Sequence, residues 1–135
     1  MRIAPRVLLL ATEEQQAAQL ATLLAAYVDL TCVSNLPELE AALQGSCYDA
    51  LFYLRPPKSA AWKQTLQEMR RRHPELPVIV LSDAAAVYEC ADIFNAGAFD
   101  LLVPPFGNQN LLAAVEQAVA STQARAWHAA SALTH

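Results

Sequence analysis

Apolar residues in this chain alternate between short continuous runs and longer stretches where they recur every three or four positions. The continuous runs predict strands that are buried on both faces, at residues 7–10, 30–33, 50–54, 78–82 and 100–103. The helical spacing predicts amphipathic helices over residues 14–27, 36–44, 60–73, 84–96 and from 109 to 124 or beyond. The pattern therefore predicts a strand followed by a helix, repeated along the whole chain.

Polar residues and glycines at the ends of these segments supply local start and stop signals. The residues placed to cap helix N-termini are Thr12, Asn35, Asp83 and Asn108. Pro37 suits the first turn of the second helix, and Gly45 and Gly97 suit the ends of the second and fourth helices. These signals agree with the boundaries that the apolar pattern predicts.

Strands that alternate with helices imply right-handed crossovers and a parallel sheet covered by helices on both faces. The functional site of such a sheet lies beyond the carboxyl ends of its strands. The residues that follow the first, third, fourth and fifth strands are Ala11, Thr12, Glu13 and Glu14; Leu54, Arg55 and Pro56; Ser82 and Asp83; and Pro104 and Pro105.

The composition narrows the class of protein. A length of 135 residues suits one domain, and 55% hydrophobic with 16% charged residues excludes a disordered chain. The net charge of -4 argues against direct nucleic-acid binding, which favours a basic face. The apolar run at residues 7–11 is too short to span a membrane or to form a signal peptide. We therefore expect a cytoplasmic protein that binds neither nucleic acid nor membrane.

The cysteines and histidines show no metal-binding pattern. Cys32, Cys47 and Cys90 are odd in number and lack CxxC spacing, so we interpret them as small apolar residues in a reducing compartment. The histidines His73, His128 and His135 do not cluster with them, and we expect no zinc site.

The stretch PVIVLSDAAAVYECADIFNAGAFDLLVPPF, residues 77–106, carries a specific combination of motifs. It has a strand that ends at Ser82, a helix that ends in Ala96-Gly97-Ala98, and Pro105-Phe106 after the last strand. In these features the chain resembles the receiver domains of bacterial response regulators, over roughly residues 5–122. The resemblance implies a flavodoxin-like (βα)5 fold: a three-layer α/β/α sandwich with a five-stranded parallel sheet in the order 2-1-3-4-5. It also implies a receiver-like domain over residues 1–125 and a C-terminal helix extension or tail over residues 126–135.

The same resemblance implies that most of the family's phosphorylation site is degenerate here. The phosphoacceptor aspartate falls on Leu54, the acidic pair that holds magnesium falls on Ala11 and Thr12, and the conserved lysine falls on Pro104. Leu54 offers no carboxylate nucleophile, and Ala11 and Thr12 offer no carboxylate to a metal. We expect no catalytic residue, no enzyme activity, no metal and no magnesium or other cofactor.

Acidic residues near the strand ends offer other interpretations of this site. Asp49 is the acid closest to the third strand, but it lies about 16 Å from the site, at the start of the strand. Glu13, Glu14 and Asp83 are better explained by helix dipoles and caps than by cation binding.

Two features of the site carry their own expectations. The family's phosphoryl-sensing Thr or Ser is retained as Ser82, whose hydroxyl either keeps a switching role or, as we prefer, satisfies nearby backbone. We expect a collapsed, apolar pocket around it. The Pro104–Pro105 peptide bond is expected to be cis, because X-Pro bonds tolerate this isomer in tight turns.

If the strand-end site lacks phosphorylation chemistry, we expect the function to lie in protein-interaction surfaces. The leading hypothesis is a phosphorylation-independent pseudo-receiver, a protein-interaction or dimerisation module that regulates transcription through an attached domain. In the resembling family the interface is formed by helix 4, strand 5 and helix 5, which here include Val87, Tyr88, Ala91, Asn95, Phe99 and Leu102. The aromatics Tyr88 and Phe99 are either exposed or packed within the domain, and Trp127 needs cover from its own domain or from a partner. The alternatives are a receiver whose phospho-chemistry has moved to Asp83 or Glu13, and a small-molecule sensor that uses the vacated pocket.

Overall fold

The strands form one parallel sheet. A computed structural model of the chain describes residues 4–56, 61–83 and 88–133, with side chains up to Ser121. The strands are β1 (Arg6–Leu10), β2 (Asp29–Val33), β3 (Ala50–Leu54), β4 (Val78–Leu81) and β5 (Asp100–Leu102). They pair in the order β2-β1-β3-β4-β5, and every pairing is parallel. The predicted fold class and strand order are confirmed.

The helices cover both faces of this sheet. They are α1 (Glu14–Leu24), α2 (Leu36–Gly45), α3 (Trp62–Arg72), α4 (Cys90–Asn95) and α5 (Asn108–Leu133). Leu39, Leu66 and Ile93 place α2, α3 and α4 on one face of the sheet, whereas Leu24 and Leu111 place α1 and α5 on the other. Successive strand side chains point to opposite faces, so the continuous apolar runs supply both cores at once.

The strand register aligns the ends of the strands that matter for the site. Leu54 at the end of β3 pairs with Leu81 at the end of β4, and Leu81 pairs with Leu102 at the end of β5. Asp49 lies at the opposite edge, where its backbone N–H donates to Arg6 O at 2.7 Å and its carboxylate accepts from Arg6 N at 2.9 Å. Asp49 therefore ties β3 to β1, and Leu54 is the residue at the carboxyl end of β3.

Helix starts agree with the predicted caps only in part. The side chain of Asn35 accepts a hydrogen bond from Glu38 N at 2.9 Å, so the cap of α2 is confirmed. Thr12 is not the cap of α1, because the N-cap residue is Glu13, whose side chain makes no capping hydrogen bond. Asn108 is the first residue of α5 rather than its cap. Tertiary packing evidently holds α1 in place without a local capping bond, as is common for amphipathic helices.

The end of α4 follows the sequence signal closely, whereas its start does not. Gly97 has a φ of 116°, the left-handed conformation that favours glycine after a helix. The helix starts at Cys90 with Glu89 as N-cap, so Asp83 does not cap it. Residues 84–87, which the sequence assigns to the first turn of this helix, lie outside the described residues.

Helix α1 is shorter than predicted, whereas α5 extends beyond residue 124, as the prediction allowed. Helix α1 ends at Leu24, and a turn over residues 25–27 leads into β2. Helix α5 continues to Leu133 without a break at residue 125. The domain boundary expected there stays a prediction, and the expectation for Trp127 concerns a side chain outside the described ones.

Candidate functional site

Arg55 is the side chain that dominates the carboxyl edge of the sheet. It follows the last residue of β3, and its backbone N–H donates to Leu81 O at 2.8 Å, so the chain continues the β3–β4 pairing by one residue. The whole residue is only 7% exposed. A buried guanidinium carries five N–H donors and a permanent charge, so its partners decide what this edge can do.

The guanidinium of Arg55 contacts both the sheet and α4. Its Nε donates to Ser82 Oγ at 2.7 Å. Its two terminal nitrogens donate to the carboxylate of Glu89 at 2.9 and 3.3 Å. Asp83 Oδ1 lies 4.0 Å from Nη2. We refer to Arg55, Ser82 and Glu89 as the Arg55 cluster.

Electrostatics within the Arg55 cluster favour the ionised form of Glu89. The hydrogen bond from Arg55 lowers the pKa of the Glu89 carboxyl, partial burial opposes this shift, and the Coulomb attraction of the guanidinium adds to it. A paired geometry in which both terminal nitrogens meet both carboxylate oxygens is among the stronger protein hydrogen bonds. The Trp62 ring on α3 lies 4.9 Å from the guanidinium carbon and forms a cation–π contact.

Ser82 has a different partner from the one expected. Its backbone N–H donates to Leu102 O, while its hydroxyl, which is buried, accepts from Arg55. The preferred expectation that the hydroxyl satisfies backbone is therefore wrong. Arg55 was visible in the sequence as the residue after β3, but only the fold shows that its side chain turns toward β4.

The strand-end pocket is open and has a charged side. A cleft of about 330 Å³ lies between the strand ends and α1, and its apolar walls include Leu20, Leu23, Leu54 and Phe106. Arg55, Ser82 and Asp83 line it from the sheet side, and Gln16 and Gln19 line it from α1. The expected collapse of this pocket into an apolar filling is wrong, because Arg55 brings a guanidinium to its floor.

The positions predicted to be degenerate lie along this edge. Ala11 is buried in the core under α1 and α5, and Leu54 is half-buried, while Thr12 and Pro104 are exposed. The Pro104–Pro105 peptide bond is cis, the isomer expected from the sequence. Within residues 4–56, 61–83 and 88–133, no group of His, Cys, Asp and Glu side chains is arranged to hold a metal ion.

The predicted interface residues divide into exposed and packed groups. Tyr88 is 93% exposed, and Ala91 and Asn95 are exposed as well. Phe99 and Leu102 are half-buried against the core under α1 and α5, so they contribute less to a surface. Val87 lies outside the described residues.

One exposed aromatic on α4 is absent from the interface residues that the sequence predicts. Phe94 is 42% exposed, and the spacing of apolar residues could not separate it from the buried Ile93 beside it. We refer to the four exposed residues Tyr88, Ala91, Phe94 and Asn95 as the α4 face. Large exposed aromatics of this kind are typical anchors of protein interfaces.

The cysteines do not fill the core. Cys32, Cys47 and Cys90 are unpaired and exposed. The sequence indicates small apolar residues, but none of the three is buried in the core. Partial burial raises the pKa of the Cys32 thiol.

In the part of the chain that the structure describes, no helix combines the length and hydropathy needed to cross a bilayer.

The fold of the chain matches known structures. No protein-family model matches the sequence. A response regulator receiver domain protein from Clostridium thermocellum superimposes with a TM-score of 0.76 at 19% identity, covering 88% of this chain and 97% of that one. The chain has the fold of response regulator receiver domains. The same receiver fold occurs in NtrX from Brucella abortus, with a TM-score of 0.81 at 19% identity, covering 94% of this chain and 30% of that one.

Sequence comparison finds larger regulators that are similar to this chain over part of their length. The DNA-binding transcriptional regulator NtrC of Salmonella typhimurium is 33% identical over 97 residues, which are 70% of this chain and 20% of NtrC. The transcriptional regulatory protein ZraR of Escherichia coli is 33% identical over 58 residues, covering 43% of this chain and 13% of ZraR. The chain thus spans about a fifth or less of the length of these relatives.

Proposed function

We propose that this chain is a pseudo-receiver, which acts in bacterial signal transduction without being phosphorylated. The observation that carries the proposal is Leu54 at the carboxyl end of β3, in register with Leu81. A leucine side chain cannot attack a phosphoryl donor, because aspartyl phosphorylation needs a carboxylate nucleophile. The domain is therefore a binding module and not an enzyme.

The neighbours of Leu54 support the same proposal. Ala11 is a buried methyl group and Pro104 an exposed ring, so neither supplies the carboxylate or the ammonium group that phosphoryl chemistry would use. Among the described residues at this edge, the guanidinium of Arg55 carries a positive charge, and it is already paired with the carboxylate of Glu89. Ala11 and Pro104 therefore give a magnesium ion no carboxylate ligand.

The binding surface that we propose is the α4 face, together with adjoining residues of β5 and α5. Tyr88 is the most exposed aromatic described, and Phe94, which is also exposed, follows in the same segment. The relatives NtrC and ZraR are named as transcriptional regulators, which supports a role as the cytoplasmic regulatory domain of such a protein. Partners would be other proteins or a second copy of the domain, and contact with nucleic acid would fall to an attached domain.

Incubation with acetyl phosphate and magnesium tests the proposal directly. Intact-protein mass spectrometry is expected to find no phosphoryl adduct on the native chain. A hydroxylamine-labile adduct would overturn the proposal. If that adduct disappeared in the Asp83→Asn or Glu13→Gln variant, the phospho-chemistry would have moved to that carboxylate.

The cleft between α1 and the strand ends favours a second candidate function, a small-molecule sensor. Its volume of about 330 Å³ and its mixture of apolar walls and amide groups suit a small amphipathic ligand. Thermal-shift screening of a metabolite collection would test this candidate. A genuine ligand should stabilise the native chain but not the Leu23→Trp variant, in which the larger side chain fills the cleft. An absence of any such ligand would exclude the candidate for the compounds screened.

A further inference from the structure

We propose that Arg55 is a positioning residue that holds the start of α4, and with it the α4 face, against the strand ends of the sheet. The inference rests on the proposed function in that the α4 face is the proposed interaction surface. It adds that this surface is held in one orientation by an internal cation, with no external ligand needed.

The sheet side of the contact is firmly anchored. The backbone of Arg55 is fixed by its hydrogen bond to Leu81 O, and its side chain by the 2.7 Å bond from Nε to Ser82 Oγ. The ring of Trp62 packs at 4.9 Å from the guanidinium carbon and restricts its plane. The guanidinium is therefore pre-organised, so it loses little side-chain freedom when a carboxylate binds it.

The helix side of the contact is Glu89. This residue is the N-cap of α4, yet its side chain makes no capping hydrogen bond. Its carboxylate instead accepts hydrogen bonds from both terminal nitrogens of Arg55. An N-cap residue commonly stabilises its own helix, whereas both carboxylate oxygens of Glu89 accept from Arg55 at the end of β3.

Helix α4 depends on such an external tie because it is short. It has six residues, and the buried side chain within it is that of Ile93. A helix of this length is not stable by itself, so tertiary contacts must hold it. Together with the buried Ile93, the Glu89 contact fixes how α4 lies on the sheet and where Tyr88 and Phe94 project.

Hydrogen–deuterium exchange of the α4 amides measures how strongly the Arg55–Glu89 contact stabilises this helix. The test variants are Arg55→Met, which keeps an unbranched stem without the charge, and Glu89→Gln, which weakens the contact from the helix side. The matched control is Arg71→Met, which removes an arginine that is paired with Glu68 on the exposed surface of α3. Each test variant is expected to raise the exchange rate of the Cys90–Asn95 peptide about tenfold, since charged hydrogen bonds contribute that much. Exchange in α1 should stay within about twofold of the native rate.

The outcomes separate positioning from general stability. Exchange in α4 that stays within about twofold of the native rate in Arg55→Met would overturn the inference. An equal increase in α1 and α4 would do so too, because it would show only global destabilisation. If Arg55→Met does not fold, Glu89→Gln decides by the same thresholds. The double variant should exchange no faster than Arg55→Met alone, and additive effects would contradict action through Glu89.

The readout distinguishes this inference from the proposed function. The exchange experiment contains no phosphoryl donor, so its result does not depend on whether the chain can be phosphorylated. A phosphoryl adduct on the native chain, together with faster α4 exchange in Arg55→Met, would overturn the pseudo-receiver and leave the role of Arg55 standing. Absence of an adduct, together with unchanged α4 exchange in Arg55→Met, would do the reverse.

Discussion

At the scale of single residues, the neighbours Leu54 and Arg55 give the strand-end site both an apolar and a charged side chain. Leu54 ends β3 with an apolar side chain on the wall of the cleft. Arg55 buries a positive charge one residue later and satisfies it with Ser82 and Glu89. A buried charge is tolerated only when its hydrogen-bonding groups are paired, so Arg55 requires the partners that it has.

Replacing Leu54 with aspartate asks whether a carboxylate alone is enough for phosphorylation. We expect the Leu54→Asp variant to take no phosphoryl group from acetyl phosphate and magnesium, because Ala11 and Pro104 still lack a carboxylate and an ammonium group. Leu54→Asn is the control of nearly equal shape. Mass spectrometry that finds an adduct on the aspartate variant alone would show that these other losses are not limiting.

Glu68 on α3 provides a pH-dependent prediction at a single residue. Hydrogen bonds from Arg71 and Arg72 lower its pKa to about 2. A carboxyl with a depressed pKa in the folded state adds stability that is present above its unfolded pKa and is lost as the pH falls toward 2. NMR titration of the side-chain carboxyl carbon should show it ionised at pH values where ordinary glutamates are protonated. The Arg71→Met variant should move its midpoint upward, and an unchanged midpoint would contradict the assigned cause.

At the scale of elements, the turn after α4 shows how backbone conformation and packing act together. Gly97 has a positive φ, and a Cβ added there would lie 2.5 Å from Arg70 Cγ on α3. Arg70 in turn donates to Pro74 O at 3.0 Å, so its stem is not free to move away. The turn after α4 therefore packs against Arg70 near the end of α3 so closely that Gly97 has no room for a side chain.

The Gly97→Ala variant should lower the free energy of unfolding by about 1–3 kcal/mol, through strain at a positive φ and the clash with Arg70. Urea denaturation measures the change. Gly45→Ala is the matched control, because an added Cβ at Gly45 meets nothing within 4 Å. That control should be neutral or stabilising by about 0.4–1 kcal/mol. Equal losses in the two variants would contradict the contact argument.

At the scale of the whole molecule, two apolar cores lie on opposite faces of one sheet, and the α4 face stands outside both. Tyr88 contributes almost nothing to either core, since 93% of it is exposed. An exposed aromatic of this size is better explained by binding than by folding.

The Tyr88→Ala variant should change the free energy of unfolding by less than about 0.5 kcal/mol, as is usual for exposed positions. It should weaken self-association or partner binding about tenfold or more, as loss of an aromatic anchor does. Analytical ultracentrifugation over a range of concentrations measures self-association. Tyr27→Ala is the control, because Tyr27 is a 48% exposed tyrosine next to α1. Equal effects of the two variants would argue against the α4 face.

The sequence alone determined the order of elements, the parallel sheet and the residue at the end of β3. These features follow from local patterns: continuous apolar runs, helical spacing, and stops such as Gly97. The register of Leu54 could be inferred because Asp49 and the downstream motifs bracket it in the chain. The cap of α1 could not, because packing against the sheet overrides the local preference for Thr12.

Only the tertiary structure decided what occupies the strand-end site. Arg55 and Ser82 are separated by 27 positions in the chain, and Arg55 and Glu89 by 34. No local pattern specifies which polar groups meet across such distances, since that depends on how the ends of β3 and β4 and the start of α4 pack together. The sequence thus predicted which phosphorylation groups the site lacks, and the fold showed that the buried guanidinium of Arg55 connects the end of β3 to the start of α4.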